Sequence, residues 1–185
     1  MQNDNTFLGT ERIGKLLFRL ALPAVTAQLV NMLYNLVDRI YIGHIPETGS
    51  LALTGVGVCM PLIMLISAFA ALVSMGAAPR ASIRMGEGDY AGAERILGNS
   101  FTLLLLVSLV LTPIFTLLRE PLLLAFGATE NTIQYASDYM NIYALGTIFV
   151  QLALGLNAFI TAQGYAKISM FTVLIGAVSN IVLDP

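Results

Sequence analysis

Long apolar runs punctuated by short charged segments constrain this chain more than any other feature of its sequence. A hydrocarbon core of about 30 Å takes about 20 apolar residues of helix to cross. Runs of that length occupy residues 16–42, 51–78, 96–118 and 138–162, and a fifth begins near 168 and reaches the end at 185. Transmembrane barrel strands, alternating over about 10 residues, would leave the unbroken apolar stretches 62–73 and 103–110 without an account. Charged residues make up 11% of the chain against 57% hydrophobic, and mean hydropathy is +0.80. A soluble domain carries roughly 25% charged residues. The predicted fold is therefore all-α, a polytopic membrane helix bundle, with residues 1–15 as a polar N-terminal segment and 16–185 as one membrane domain.

The distribution of cations predicts the topology. Arg12, Lys15, Arg80, Arg84, Arg95 and Lys167 fall before the first run, between the second and third, and between the fourth and fifth. The alternate connections carry His44, with Arg39 and Arg119 at helix ends. The positive-inside bias then places the N-terminus in the cytoplasm of a multi-pass protein. Residues 1–14 are polar and mixed in charge, and the first run is too long for the apolar stretch of a cleaved signal. Cys59 is the sole cysteine, which excludes an intrachain disulfide and a Cys-based metal cage; it reads as a small apolar packer. His44 reads as a solvated loop residue. The glycines of Arg84-Met85-Gly86-Glu87-Gly88-Asp89-Tyr90 predict a helix stop, followed by a short amphipathic elbow helix over 91–95. They do not suit phosphate binding, because no strand precedes them and the Lys-Ser/Thr pair of a P-loop is missing.

A carboxylate inside a membrane helix costs from about 3 to more than 10 kcal/mol, so it marks an ion path or a partner. Asp38 and Asp184 are the two candidates. Gln28, Asn31, Asn35 and Asp38 recur at helical spacing and share one face of the first helix, with Tyr34 beside them. Lipid satisfies no such row, so the face is expected to look into the bundle or a water-filled cavity. Asn180 precedes Asp184 by one turn, with Gly176 a turn earlier. Both aspartates lie late in outward-running helices, which puts them at a shared depth. Their oxygens suit Na⁺, and a close carboxylate pair also suits a proton. An aspartate snorkelling to the interface or pairing with Arg39 is the structural alternative. In the fourth run Tyr143, Thr147, Gln151 and Gly155 follow one another at four-residue spacing. Tyr143, Thr147 and Gln151 are candidates for facing a substrate, and equally for interhelical hydrogen bonding. Met60, Met64 and Met75 read as packing, with an adaptable ligand surface the alternative. Pro23 and Pro61 each remove a backbone hydrogen bond within their helices, and Pro23 is the candidate hinge.

Four motifs resemble the multidrug and toxic compound extrusion (MATE) family. They are Asn31-Met32-Leu33-Tyr34-Asn35-Leu36-Val37-Asp38-Arg39-Ile40-Tyr41-Ile42-Gly43, the Arg84 to Asp89 segment with its alanine-rich sequel, Ala162-Gln163-Gly164-Tyr165-Ala166-Lys167, and Asn180-Ile181-Val182-Leu183-Asp184-Pro185. The wording of the first and last is similar to a bacterial MepA-like branch. The resemblance implies a twelve-helix transporter of two six-helix lobes, of which this chain would supply the first four to five helices of the N-terminal lobe. The fifth run stops about 17 residues in, at or just short of crossing length, and this leads to the expectation of a fragment that is inactive alone. By the resemblance, Asp38, Asn180 and Asp184 occupy cation-binding positions, Pro23 the first-helix bend, and a further ligand comes from a sixth helix. The implied activity is antiport by alternating access: Na⁺ or H⁺ enters, and drugs or amphipathic organic cations leave across the bacterial inner membrane. A lipid-linked precursor flippase of the same superfamily is the alternative. No enzyme, cofactor or nucleic-acid motif accompanies these features, and a monomer is expected for the complete protein.

Overall fold

The computed structural model describes residues 10–183, all of it helix and short connections. The helices are α1 (Ile13–Gly43), α2 (Gly49–Gly86), α3 (Tyr90–Leu117), α4 (Arg119–Ala125), α5 (Ile133–Leu145), α6 (Thr147–Ala162) and α7 (Ala166–Leu183). Helices α1, α2, α3 and α7 are each long and apolar enough to cross a membrane. The fourth predicted run is not one straight helix: α5 and α6 meet at an angle of 58°. The break falls at Gly146, which ends one helix and begins the next. Glycine loses more backbone freedom on entering a helix than any other residue, so it is a weak point of this run.

The connection after α2 also differs from expectation. The glycine stop forms as predicted: Gly88 takes φ +80°, and the Asp89 amide donates back to the Arg84 carbonyl at 2.9 Å. This closes α2 in a Schellman turn that a residue with a Cβ resists. No separate elbow helix follows. The Asp89 carboxylate accepts from the Gly92 amide at 2.8 Å, caps the N-terminus, and α3 then runs unbroken for 28 residues. The reason is that nothing between Ala91 and Ile96 interrupts helix, once an N-cap has satisfied its first amides.

Helix α2 is the central strut. Its Cys59, Leu62 and Ile66 pack with Leu111 and Phe115 of α3, Leu123 of α4 and Met140 of α5. Farther along, Ala70 and Val73 meet Leu104 of α3, and Ala78 and Ala81 meet Ala93 and Phe159. Small residues let these helices approach closely, which matters where lipid tails compete on equal terms with apolar side chains. Cys59 has the packing role expected of it, fully buried with its thiol donating to the Ala136 carbonyl at 3.3 Å. The connection after α3 is more structured than a loop, since α4 buries Leu123 completely and Arg119 donates to Ser137 at 2.8 Å and to the Thr116 carbonyl at 2.7 Å.

Helices α1 and α7 pair side by side at the flank of this core, α1 packing chiefly on α7 and less on α2. Pro23 is the one buried residue of α1 among those described, and Leu22, Met32, Leu33 and Leu36 are all more than half exposed. Apolar side chains exposed over so much of a helix suit a hydrocarbon environment. The helix continues through Pro23, whose ring supplies no amide hydrogen to the preceding turn. At the start of α1, Lys15 lies 2.7 Å from Glu11, which precedes the helix, and its hydrogen bond, with the Lys15 and Arg19 charges, outweighs desolvation and holds the Glu11 carboxyl below its ordinary range.

Candidate cation and substrate site

Helix α1 carries the polar stripe, and the structure gives it two neighbours. On one side a cleft of about 530 Å³ opens between α1, α6 and α7, with Asn31, Tyr34, Asn157, Thr172 and Asn180 as its polar lining. The Thr172 hydroxyl donates to Asn157 Oδ1 at 3.3 Å, joining α7 to α6. Within α1, Asn35 donates through Nδ2 to the Asn31 carbonyl at 2.7 Å and to Asn31 Oδ1 at 3.2 Å, so that one amide orients the other. None of the lining residues is Lys or Arg.

On the other side stand the aromatic residues of α5. Tyr139 and Tyr143 stack with ring centroids 6.4 Å apart and planes 19° from parallel. Asp38, half-buried one turn beyond Tyr34, is near enough to Tyr139 for its charge to act on the phenol, and Tyr34 is near both tyrosines. Ser67 of α2 lies near Tyr143. A carboxylate, three phenols and a chain of amides around a half-buried helix face can hold a hard cation or a proton and exchange it with water.

The MatE family model matches residues 23–185. This chain belongs to the MatE family. It is 27% identical over its whole length to the multidrug export protein MepA of Staphylococcus haemolyticus, of which it covers 41%. An FAD transporter of Shewanella oneidensis is 24% identical over 94% of the chain, which covers 38% of it. Among solved structures, the outward-facing conformation of a multidrug resistance MATE transporter superimposes with a TM-score of 0.90 at 26% identity, over 100% of this chain and 40% of the other. This MATE chain therefore spans about two fifths of the length of the relatives it matches.

The structure sorts the expected site residues. Asn31, Tyr34 and Asn180 border one cleft, and Asn35 and Asp38 sit on the same α1 face. Gln28 does not join them. It is exposed, since the helices that pack chiefly on α1, α7 and then α2, do not cover it. Asp184 lies outside the described residues.

The substrate-facing reading of the fourth run is corrected for two of its three residues. Thr147 and Gln151 are fully buried, away from the cleft. Gln151 donates to the Ile66 carbonyl of α2 at 2.7 Å, and the Thr147 hydroxyl bonds within its own run, to the Tyr143 carbonyl at 3.4 Å. The bend at Gly146 is the physical cause: it breaks the four-residue register, so that Tyr143 turns to Tyr34 while the α6 part of the stripe turns to α2 and α3. Gln151→Leu is expected to leave the range of exported compounds unchanged. It removes one hydrogen bond worth about 1 kcal/mol, together with a buried oxygen that has no partner among the described residues. Thermal unfolding and an efflux panel check this; an altered compound range at unchanged stability would restore the substrate-facing reading.

Sequence reasoning missed Asn157, Thr172, Tyr139 and Ser67. Thr172 was within reach, since it continues the row Gly176, Asn180 one turn back at the same four-residue spacing. Asn157 is an amide in an apolar run, without the row of amides at helical spacing that singled out Asn31. Ser67 and Tyr139 had no local signal, because only the packing of α2 and α5 brings them to α1.

Proposed function

We propose that the complete protein is a secondary active exporter of amphipathic organic cations in the bacterial inner membrane, with the N-terminus in the cytoplasm, driven by inward movement of Na⁺ or H⁺. The observation that carries this reading is the half-buried Asp38, on the α1 face whose Asn31 and Tyr34 border the amide-lined cleft and within electrostatic range of Tyr139. A carboxylate kept in a membrane helix at such cost is a site for the coupling ion. Asp38, Asn180 and Asp184 form the proposed ion set, completed by a ligand from beyond these helices. Binding of the cation or proton at Asp38 neutralises it, which changes the balance of α1 between its cleft side and its α5 side and so shifts the alternating-access equilibrium. Pro23, which supplies no amide hydrogen to the turn before it, is the proposed point of bending.

The relatives named as multidrug export proteins support drug export. The FAD transporter raises the second reading, an anionic cargo, as would a lipid-linked precursor. Anionic groups call for Lys or Arg in the binding surface, and the cleft contains neither, which favours a cationic or neutral cargo. The test is ethidium transport by the complete protein in proteoliposomes, under an imposed Na⁺ gradient and then an imposed pH gradient. One of the two gradients is expected to drive accumulation. Transport under neither, with the protein correctly inserted, would overturn the coupled-export reading.

A further inference from the structure

A second groove, remote from the cleft, runs lengthwise between α2 and α3. It measures about 420 Å³, and its walls change character along its length. Leu72 and Leu103 form one end and are 72% and 48% exposed. Gly76 lies midway, and a Cβ built there meets no other atom within 4 Å, so the missing side chain is what keeps the trough open. Arg80 and Asn99 form the other end. From Leu72 to Arg80 the rise is about 12 Å along α2.

Arg80 is set apart from its neighbours. Arg84, one turn on, is paired with Glu87 and Asp89 at 3.6 and 3.4 Å, whereas Arg80 and Asn99 make no hydrogen bond or ion pair with any described residue. An apolar trough about half a leaflet long, ending in an unpaired guanidinium and an amide where the apolar part of α2 gives way to charge, has the polarity of a phospholipid. We infer that this groove binds an anionic phospholipid, its acyl chain along Leu72, Gly76 and Leu103 and its phosphate on Arg80 and Asn99. Guanidinium and amide donors match phosphate oxygens. The apolar end offers the dispersion contacts that a lipid tail makes with any smooth helix surface, and the charged end selects the headgroup. The proposal is independent of the transport reading, since it concerns the groove between α2 and α3 and not the α1 face.

The experiment is native mass spectrometry of the complete protein, extracted in detergent and offered equal amounts of phosphatidylglycerol and phosphatidylcholine with identical acyl chains. The protein is expected to retain phosphatidylglycerol about fivefold in preference, the effect of one cation near a membrane surface. Arg80→Gln removes the preference and Arg80→Lys keeps most of it. Gly76→Leu fills the trough while leaving the cation in place, and it lowers retention of both lipids; it decides the matter if Arg80→Gln proves unstable. Equal retention of the two lipids by the unaltered protein overturns the inference, as does a preference that survives Arg80→Gln or retention that survives Gly76→Leu. So does the absence of retained lipid, which would mean that another part of the complete protein covers the groove.

Discussion

Asp38→Asn in the complete transporter is expected to reduce drug efflux to that of cells lacking the protein, at unchanged abundance in the membrane. Asparagine keeps the shape of the side chain and its capacity for hydrogen bonding, so α1 and its contacts with α7 and α2 should survive. What it removes is the negative charge, and with it the ability to release and rebind a cation or proton. In the proposed cycle the variant resembles the ion-bound state at every stage, so no gradient distinguishes its two conformations and none is coupled to export. Drug binding to the purified variant should persist, because the amides of Asn31, Asn157 and Asn180 are untouched. Efflux retained at normal protein levels would remove Asp38 from the mechanism. Efflux and drug binding lost together, with the protein folded, would assign Asp38 to cargo recognition instead.

The second large effect concerns assembly. Gly55→Leu is expected to destabilise the bundle by about 3 kcal/mol, at the upper end of the range for overpacked cores. A Cβ built at Gly55 lies 3.0 Å from the Ala136 amide nitrogen, 3.0 Å from Tyr135 Cβ and 3.3 Å from the Thr132 carbonyl oxygen. These atoms belong to the start of α5 and cannot rotate aside as the end of a side chain can. Accommodating a leucine therefore separates α2 from α5, opening the layer around Cys59, Ala136 and Met140 and displacing the tyrosines that face α1. Thermal unfolding in detergent should show the loss directly. Gly57→Leu is the matched control, since a Cβ there meets no other atom within 4 Å. Equal stability of the two variants would mean that α2 and α5 are not held at this close approach.

Both predictions mark the division between what is local and what is assembled. The membrane-spanning helices, the glycine stop at Gly88, the burial of Cys59 and the polar face Asn31, Tyr34, Asn35 and Asp38 were legible in the sequence, because each follows from the spacing of residues within about one or two turns. Hydropathy sets the length of a span, and helical periodicity sets which side chains share a face; neither depends on what lies opposite. The continuity of α3 past the expected elbow was also a local matter, settled by an N-cap that the sequence contained and that the reading did not weigh.

What only the tertiary structure decided is which faces meet. The stripe Tyr143, Thr147, Gln151 and Gly155 obeyed helical spacing, yet a bend at Gly146 sent its two halves to different neighbours. Gln28 shared the periodicity of Asn31 and Asp38, and it is exposed because the covering helices do not reach it. Ser67 and Tyr139 became part of the site through contacts between helices far apart in the chain. The sequence alone thus determined that this is a bundle of membrane helices with a polar face on the first. Packing determined what that face addresses, because a side chain's neighbours across a helix interface are set by crossing angles and close approaches that no local pattern encodes.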